Sequence, residues 1–129
     1  MAQTAGRNTL EIRDGKTLIL PVKAKTVIYE GSMVAIDSSG YAIPAKKAEN
    51  LIAAGRAEEM VEATADTVIK VRRGCFKWDN AASGAVTSSD ILKPCYMADS
   101  ETVTMTKTGA SIAGKVLAVD SDGVVVEMM

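Results

Sequence analysis

Short apolar runs broken by small polar turns repeat along the whole chain. The clearest pair closes it. Val116-Leu117-Ala118-Val119 and Val124-Val125-Val126 flank Asp120-Ser121-Asp122-Gly123. Glycine takes positive φ without steric cost and Asp favours turns, so the segment predicts a β-hairpin. Asp37-Ser38-Ser39-Gly40 repeats the device between the buried-looking run Met33-Val34-Ala35-Ile36 and Tyr41-Ala42-Ile43. Near the start, Leu10 and Ile12 alternate with Glu11 and Arg13 ahead of an Asp14-Gly15 turn. A strand is expected there, and again over 17–20 up to Pro21, whose missing N–H marks a strand end or an edge. Residues 67–72 alternate as a strand. The alternation changes phase at Arg73-Gly74, which predicts a bulge before Cys75-Phe76-Lys77-Trp78. Runs at 95–98 and 101–106 complete the set, and Ser88 or Ser89 is placed to cap one helical turn ended by Pro94.

Many short strands separated by turn signals predict a mainly β fold, a small barrel or sandwich of short antiparallel strands. The expected organisation is an extended N-terminal arm over residues 1–9 and a single β domain over 10–129. Residues 45–65 conflict with this pattern. Their Ala, Lys and Glu content favours helix. Gly55 interrupts such a helix, and residues 51–61 also fit a strand with a bulge near that glycine. On propensity alone the segment leans to helix.

Composition narrows the chemistry. The chain has 129 residues, enough for one domain with a core of its own. Apolar residues are 47% but aromatics only 4%, so the core must be aliphatic. Fifteen basic and 16 acidic residues leave a net charge of −1, which exerts no long-range pull on nucleic acid or anionic membrane. There is no histidine. That removes the commonest acid/base group near neutral pH and every Ser-His-Asp or Cys-His arrangement. Cys75 and Cys95 are too few for a disulfide framework and read as small buried hydrophobes, with a pairing open if their strands are neighbours. The first residues carry no apolar core of a signal peptide, no run approaches membrane-spanning length, and cytosol-like conditions are expected.

Three local clusters carry groups capable of chemistry. Arg72, Arg73, Phe76 and Trp78 interleave basic and aromatic groups, as single-strand nucleic-acid binders do. The alternative is a strand with a core face and a solvated basic face. Glu58, Glu59, Glu62 and Asp66 form an acidic cluster without calcium-loop spacing, which reads as a charged surface. Asp120 and Asp122 belong to a turn. No catalytic residue, metal ligand or cofactor site is expected.

The order of segments carries more than any one motif. Val27 to Pro44 reads as a strand, Glu30-Gly31, a buried strand, Asp37-x-x-Gly40 and Tyr41-Ala42-x-Pro44. Then follow Gly55-Arg56-Ala57-Glu58-Glu59, Val71-Arg72-Arg73-Gly74-Cys75-Phe76, and the closing hairpin from Gly114 to Glu127. This succession resembles the capsid cement, or head decoration, proteins of tailed bacteriophages, those of Mu-like and related long-tailed phages most of all. The resemblance spans about residues 10–128. It implies a mainly β protein on the exterior of an expanded icosahedral capsid, a homotrimer that clamps neighbouring major capsid subunits. It implies the virion as location, the host cytoplasm during assembly, and no catalytic residue, membrane or nucleic-acid partner. It also implies a strand over 51–61, against the helical propensity, and that expectation is adopted.

The polar terminus is unassigned by the resemblance. It is either a frayed tail or an arm that orders on a partner. With the resemblance, Ala2, Gln3, Thr4, Arg7 and Asn8 become candidates for capsid contact. Phe76 and Trp78 are candidates for the core or a subunit interface. The competing reading is a small nucleic-acid- or ligand-binding β-barrel centred on residues 71–78.

Overall fold

The computed structural model of the chain describes residues 2–129. Its strands, in chain order, are β1 (Thr17–Pro21), β2 (Val27–Ile28), β3 (Met33–Ile36), β4 (Ala42–Pro44), β5 (Ile52–Ala57) and β6 (Val61–Glu62). They continue as β7 (Val68–Arg72), β8 (Gly74–Asn80), β9 (Pro94–Met97), β10 (Thr102–Thr104), β11 (Ile112–Asp120) and β12 (Gly123–Met128). A 3-10 turn, Ser88–Asp90, lies between β8 and β9. Met1, counted in the predicted arm, lies outside the described residues. The fold is mainly β, as the turn pattern predicts.

The strands form three units. β1-β7-β5-β3-β4 make a five-stranded antiparallel sheet. β10-β8-β12-β11-β9 close into a barrel, in which β10 and β8 are the parallel pair. β2 and β6 form a two-stranded ribbon. Both predicted hairpins are present. Asp37 accepts from the Ser39 and Tyr41 N–H groups in the β3–β4 turn, and Asp120 accepts from those of Asp122 and Gly123 in the β11–β12 turn.

Side-chain alternation explains how these units stack. Successive residues of a strand face opposite sides of its sheet. In β3, Met33 and Ala35 join the barrel core with Trp78, Met97, Val116 and Val126. Val34, between them, joins a second core with Ile28, Ile69, Val71 and Val22, and Ile36 packs against it. β3 is therefore covered on both faces, which is why it reads as an unbroken apolar run. The ribbon contributes Ile28 and Val61 to the second core. The five-stranded sheet thus lies between the barrel on one side and the ribbon on the other.

Four local expectations are corrected. The helical lean over 45–65 fails: β5 and β6 occupy it, as the family resemblance implies. Gly55 has φ 138°, outside any helix, and sits at an irregularity in the β3–β5 register. Its alanine neighbours suit a strand squeezed between two cores, with Ala54 and Ala57 in the second core and Ala53 against the barrel. The strand expected at residues 9–13 is absent, since Leu10 and Ile12 find no partner and stand 68% and 77% exposed. The phase change at Arg73-Gly74 is a switch between sheets, because β7 belongs to the five-stranded sheet and β8 to the barrel. Finally, the residue preceding the 3-10 turn is Thr87, whose N–H donates to the Asp90 carboxylate at 2.9 Å.

Candidate functional site: the arm and the groove beside it

The sheet switch separates the basic and aromatic residues of 71–78. Arg72 ends β7, exposed. The Arg73 N–H donates to the Lys16 carbonyl at 2.7 Å, and its guanidinium donates to the Gly15 carbonyl at 3.4 Å. Arg73 therefore holds the root of the N-terminal segment. Trp78 points into the barrel and is 6% exposed, with its indole N–H buried and without a hydrogen-bond partner among the described residues. Phe76 is half-buried at the edge of the barrel core. Its ring meets Trp78 edge-on with centroids 6.1 Å apart, and the Arg56 guanidinium covers it at 4.7 Å. Arg56 is tethered in turn to Glu58 at 2.7 Å. A ring in the barrel core cannot present a face to a nucleic-acid base, so these four residues form no stacking platform.

Residues 2–16 lie outside every strand and are all exposed. Ala2, Gln3, Thr4, Arg7 and Asn8 are among them. The hydrogen bonds within this stretch are local: Gln3 Nε2 to the Ala5 carbonyl at 2.6 Å and the Thr9 N–H to the Arg7 carbonyl at 3.2 Å. At its root the Lys16 N–H donates to the Asp14 carboxylate at 2.8 Å, Gly15 takes φ 82°, and the Arg13 guanidinium reaches the Thr17 carbonyl at 3.4 Å. The exposed segment is thus longer than the predicted arm and includes the alternating residues 9–13.

Beside the root lies a groove of about 510 Å³ between the five-stranded sheet and the barrel. Leu18, Ile36, Ile52, Ile112 and Met129 are among its apolar lining residues, and Arg73 and Glu127 are its charged ones. Ile52, Ile112 and Met129 are each more than half exposed. The groove exists because β5 diverges. β3 pairs with β5 from Ile52 to Arg56, whereas β7 pairs with it only at Arg56 and Ala57. The backbone of residues 52–54 is left without a strand on that edge. The sequence pattern missed this site, because lining residues from β1, β5 and β11 meet only through tertiary register.

The remaining chemistry is sparse. Cys75 is exposed on β8 and Cys95 buried on β9; both are free thiols, and their strands are not neighbours in the barrel. Only Cys95 is thus the small buried hydrophobe expected of both. Burial pushes its thiol up to about 11. Among the predicted acidic cluster, Glu58 pairs with Arg56 and Glu59 accepts from the Lys70 N–H, while Glu62 and Asp66 face solvent. Among the described residues, no group of three or more Cys, Asp or Glu side chains is placed to share a metal ion. Asp120 pairs with Lys77 at 2.8 Å on the surface. That hydrogen bond lowers the Asp120 pKa and raises that of Lys77. No helix among the described residues is long and apolar enough to cross a membrane.

No protein-family model, curated protein or solved structure matches the chain.

Proposed function

We propose that the chain is a structural virion protein that binds the outer surface of an expanded phage capsid and clamps neighbouring major capsid subunits, acting as a homotrimer. The observation that carries this reading is the exposed stretch at residues 2–16 on a two-core β body. Such a segment packs on none of the described residues of its own body and is suited to ordering along a neighbour. The resemblance in segment order supplies the identity of that neighbour. The physics of the role agrees with the composition. A clamp needs no acid, base or metal. Weak contacts to several subunits add through effective concentration, so each interface can be modest. The useful quantity is kinetic, because a bound clamp slows shell opening. Ala2, Gln3, Thr4, Arg7 and Asn8 are assigned to capsid contact, and the exposed apolar side chains around β5 and β11 to subunit contact. The exterior of the virion is the location of the assembled protein, with the host cytoplasm as the site of assembly.

The test is to mix the purified protein with expanded, undecorated capsids of the phage that encodes it and image the particles. Trimeric density at three-fold and quasi-three-fold positions is expected. Bare shells refute the capsid assignment, and isolated monomers or two-fold dimers on the shell refute the trimer. No observation favours the nucleic-acid reading, since Trp78 is in the core and Phe76 lies under Arg56.

A further inference from the structure

We infer that the groove between the five-stranded sheet and the barrel receives residues 9–13 of a second copy of this chain. Leu10 and Ile12 enter it, and the segment lies along the free edge of β5. The inference rests on the self-association in the proposed function and not on the shell.

Three observations converge. The first is apolar matching. Leu10 and Ile12 are two residues apart, so an extended segment presents both on one face and Glu11 and Arg13 on the other. They are the large apolar side chains of the arm and are 68% and 77% exposed. The groove offers the complementary surface in Ile52, Ile112 and Met129, themselves 66%, 53% and 63% exposed.

The second is an unpaired strand edge. Residues 52–54 have β3 on one side and, because β7 pairs only from Arg56, no strand on the other. An extended segment laid there gains main-chain hydrogen bonds as well as side-chain burial, which is the usual mode of strand addition. The alternation at residues 9–13 is a strand pattern that finds no partner within its own chain.

The third is charge. Arg73 and Glu127 are the charged residues of the groove, and Glu11 and Arg13 are those of the segment. Each side carries one charge of each sign, so the approach of the segment to the groove meets no net like-charge repulsion. Charges at such a rim suppress wrong partners more than they add affinity.

The occupant is a second copy and not the chain's own arm, because of how the root is held. Arg73 bonds the Lys16 and Gly15 carbonyls, Asp14 caps the Lys16 N–H, and Arg13 reaches the Thr17 carbonyl. With that turn formed, Leu10 and Ile12 are outside the groove of their own chain. An arm passed from each copy to the next is a head-to-tail contact, which closes into a ring when the rotation permits. A ring of three satisfies every arm and every groove.

The experiment uses full-length purified protein without capsids. In a Cys75→Ser background, Ile12→Cys and Ile112→Cys are introduced together, the protein is oxidised at high concentration, and the disulfide is mapped by peptide mass. Both positions are exposed, so neither change threatens the fold. A 12–112 bond joining different chains, with covalent oligomers on a non-reducing gel, is the expected result. A 12–112 bond within one chain overturns the inference in favour of the chain's own arm. Two thiols left free overturn it outright. Independently, Leu10→Asp with Ile12→Asp should weaken self-association in sedimentation on the order of 100-fold or more, since two buried apolar anchors are lost. Unchanged association overturns the inference as well. If the cross-link fails while wild-type trimers still decorate shells, the arm–groove contact falls and the capsid reading stands. If the cross-link forms but shells stay bare, the reverse holds.

Discussion

Gly55 is where the sheet is most sensitive to one methyl group. Its φ of 138° is one that L side chains rarely adopt. A Cβ added there would lie inside van der Waals contact of the Arg72 carbonyl oxygen, 2.9 Å from the carbonyl carbon and 3.3 Å from Val71 Cγ1. The blocking atoms are backbone, so no rotamer change relieves them. Gly55→Ala must either bend β5 at the bulge or push it off β7, where the two strands share only Arg56↔Arg72 and Ala57↔Val71. The conformation alone costs about 1–3 kcal/mol. Losing the short ladder adds about 0.5–1.5 kcal/mol for each hydrogen bond broken. A total near 3–4 kcal/mol corresponds to a melting temperature lower by roughly 12–16 °C for a domain of this size. Gly40→Ala is the internal control. Gly40 also has positive φ, 88°, but a Cβ there meets nothing within 4 Å. It should cost only the backbone part, about 1 kcal/mol or roughly 4 °C. Thermal unfolding of both variants by circular dichroism gives the comparison. If the two melt within about 3 °C of each other, less than about 1 kcal/mol, the close approach of β5 to β7 is not what constrains Gly55.

Other expectations concern the core, the thiols and the arm. Trp78→Ala should cost about 3–5 kcal/mol, as truncation of a large core aromatic does, and lower the melting temperature by more than 10 °C; unchanged melting would show the ring to be peripheral. With a disulfide reagent at pH 8, Cys75 should react at once and Cys95 only on unfolding, because one is exposed and the other buried; two fast equivalents would refute this. The Cys95 pKa is raised in the fold from 9.0 to about 11, so its contribution is complete below pH 9 and declines as pH rises toward 11. Cys95→Ala should therefore flatten the loss of stability over that window, and an unchanged slope would assign the loss to other groups. Deleting residues 2–8 should leave the melting temperature within about 2 °C, since they have no tertiary contact to lose, while weakening capsid binding; decoration with unaltered affinity would make the segment only a tail.

What the sequence made legible was local. Asp37 to Gly40 and Asp120 to Gly123 announce their hairpins because an Asx turn and a positive-φ glycine are written into four consecutive residues. The aliphatic run of β3 announces burial because every side chain in it faces one core or the other. The signal was misleading where tertiary context outweighed propensity. Alanines around Gly55 look helical, yet they are small because β5 is pressed between two cores and against Arg72. Arg73-Gly74 looks like a bulge because a change of sheet and a bulge both break alternation by one residue. The arm residues 2–8 were legible as unpaired, and residues 9–13 were not, since their alternation promises a strand without saying whose. The groove was invisible altogether. Ile52 and Ile112 are 60 positions apart in number, and only the divergence of β5 from β7 brings them to one surface.

The two cores bear on the role in a way neither does alone. A barrel of this size buries its interior by closure and has no free edge to offer. The five-stranded sheet is open, with β1 at one end and β4 at the other, and it carries the arm root and one wall of the groove. The two units are joined through the shared packing of β3, β4 and β5 on the barrel, and the exposed apolar side chains lie at their junction, outside both cores. A clamp of the kind proposed gains from contact side chains that lie outside both cores. Its contact surfaces must keep unpaired strand edges and exposed apolar side chains until a neighbour arrives, and such features weaken a domain that depends on them for its own core. Here Leu10, Ile12, Ile52, Ile112 and Met129 stay exposed while Met97, Val116, Val124 and Val126 hold the barrel shut. Polar or charged substitutions at the first group should therefore leave unfolding almost unmoved, whereas truncations in the second should lower stability without a selective effect on assembly.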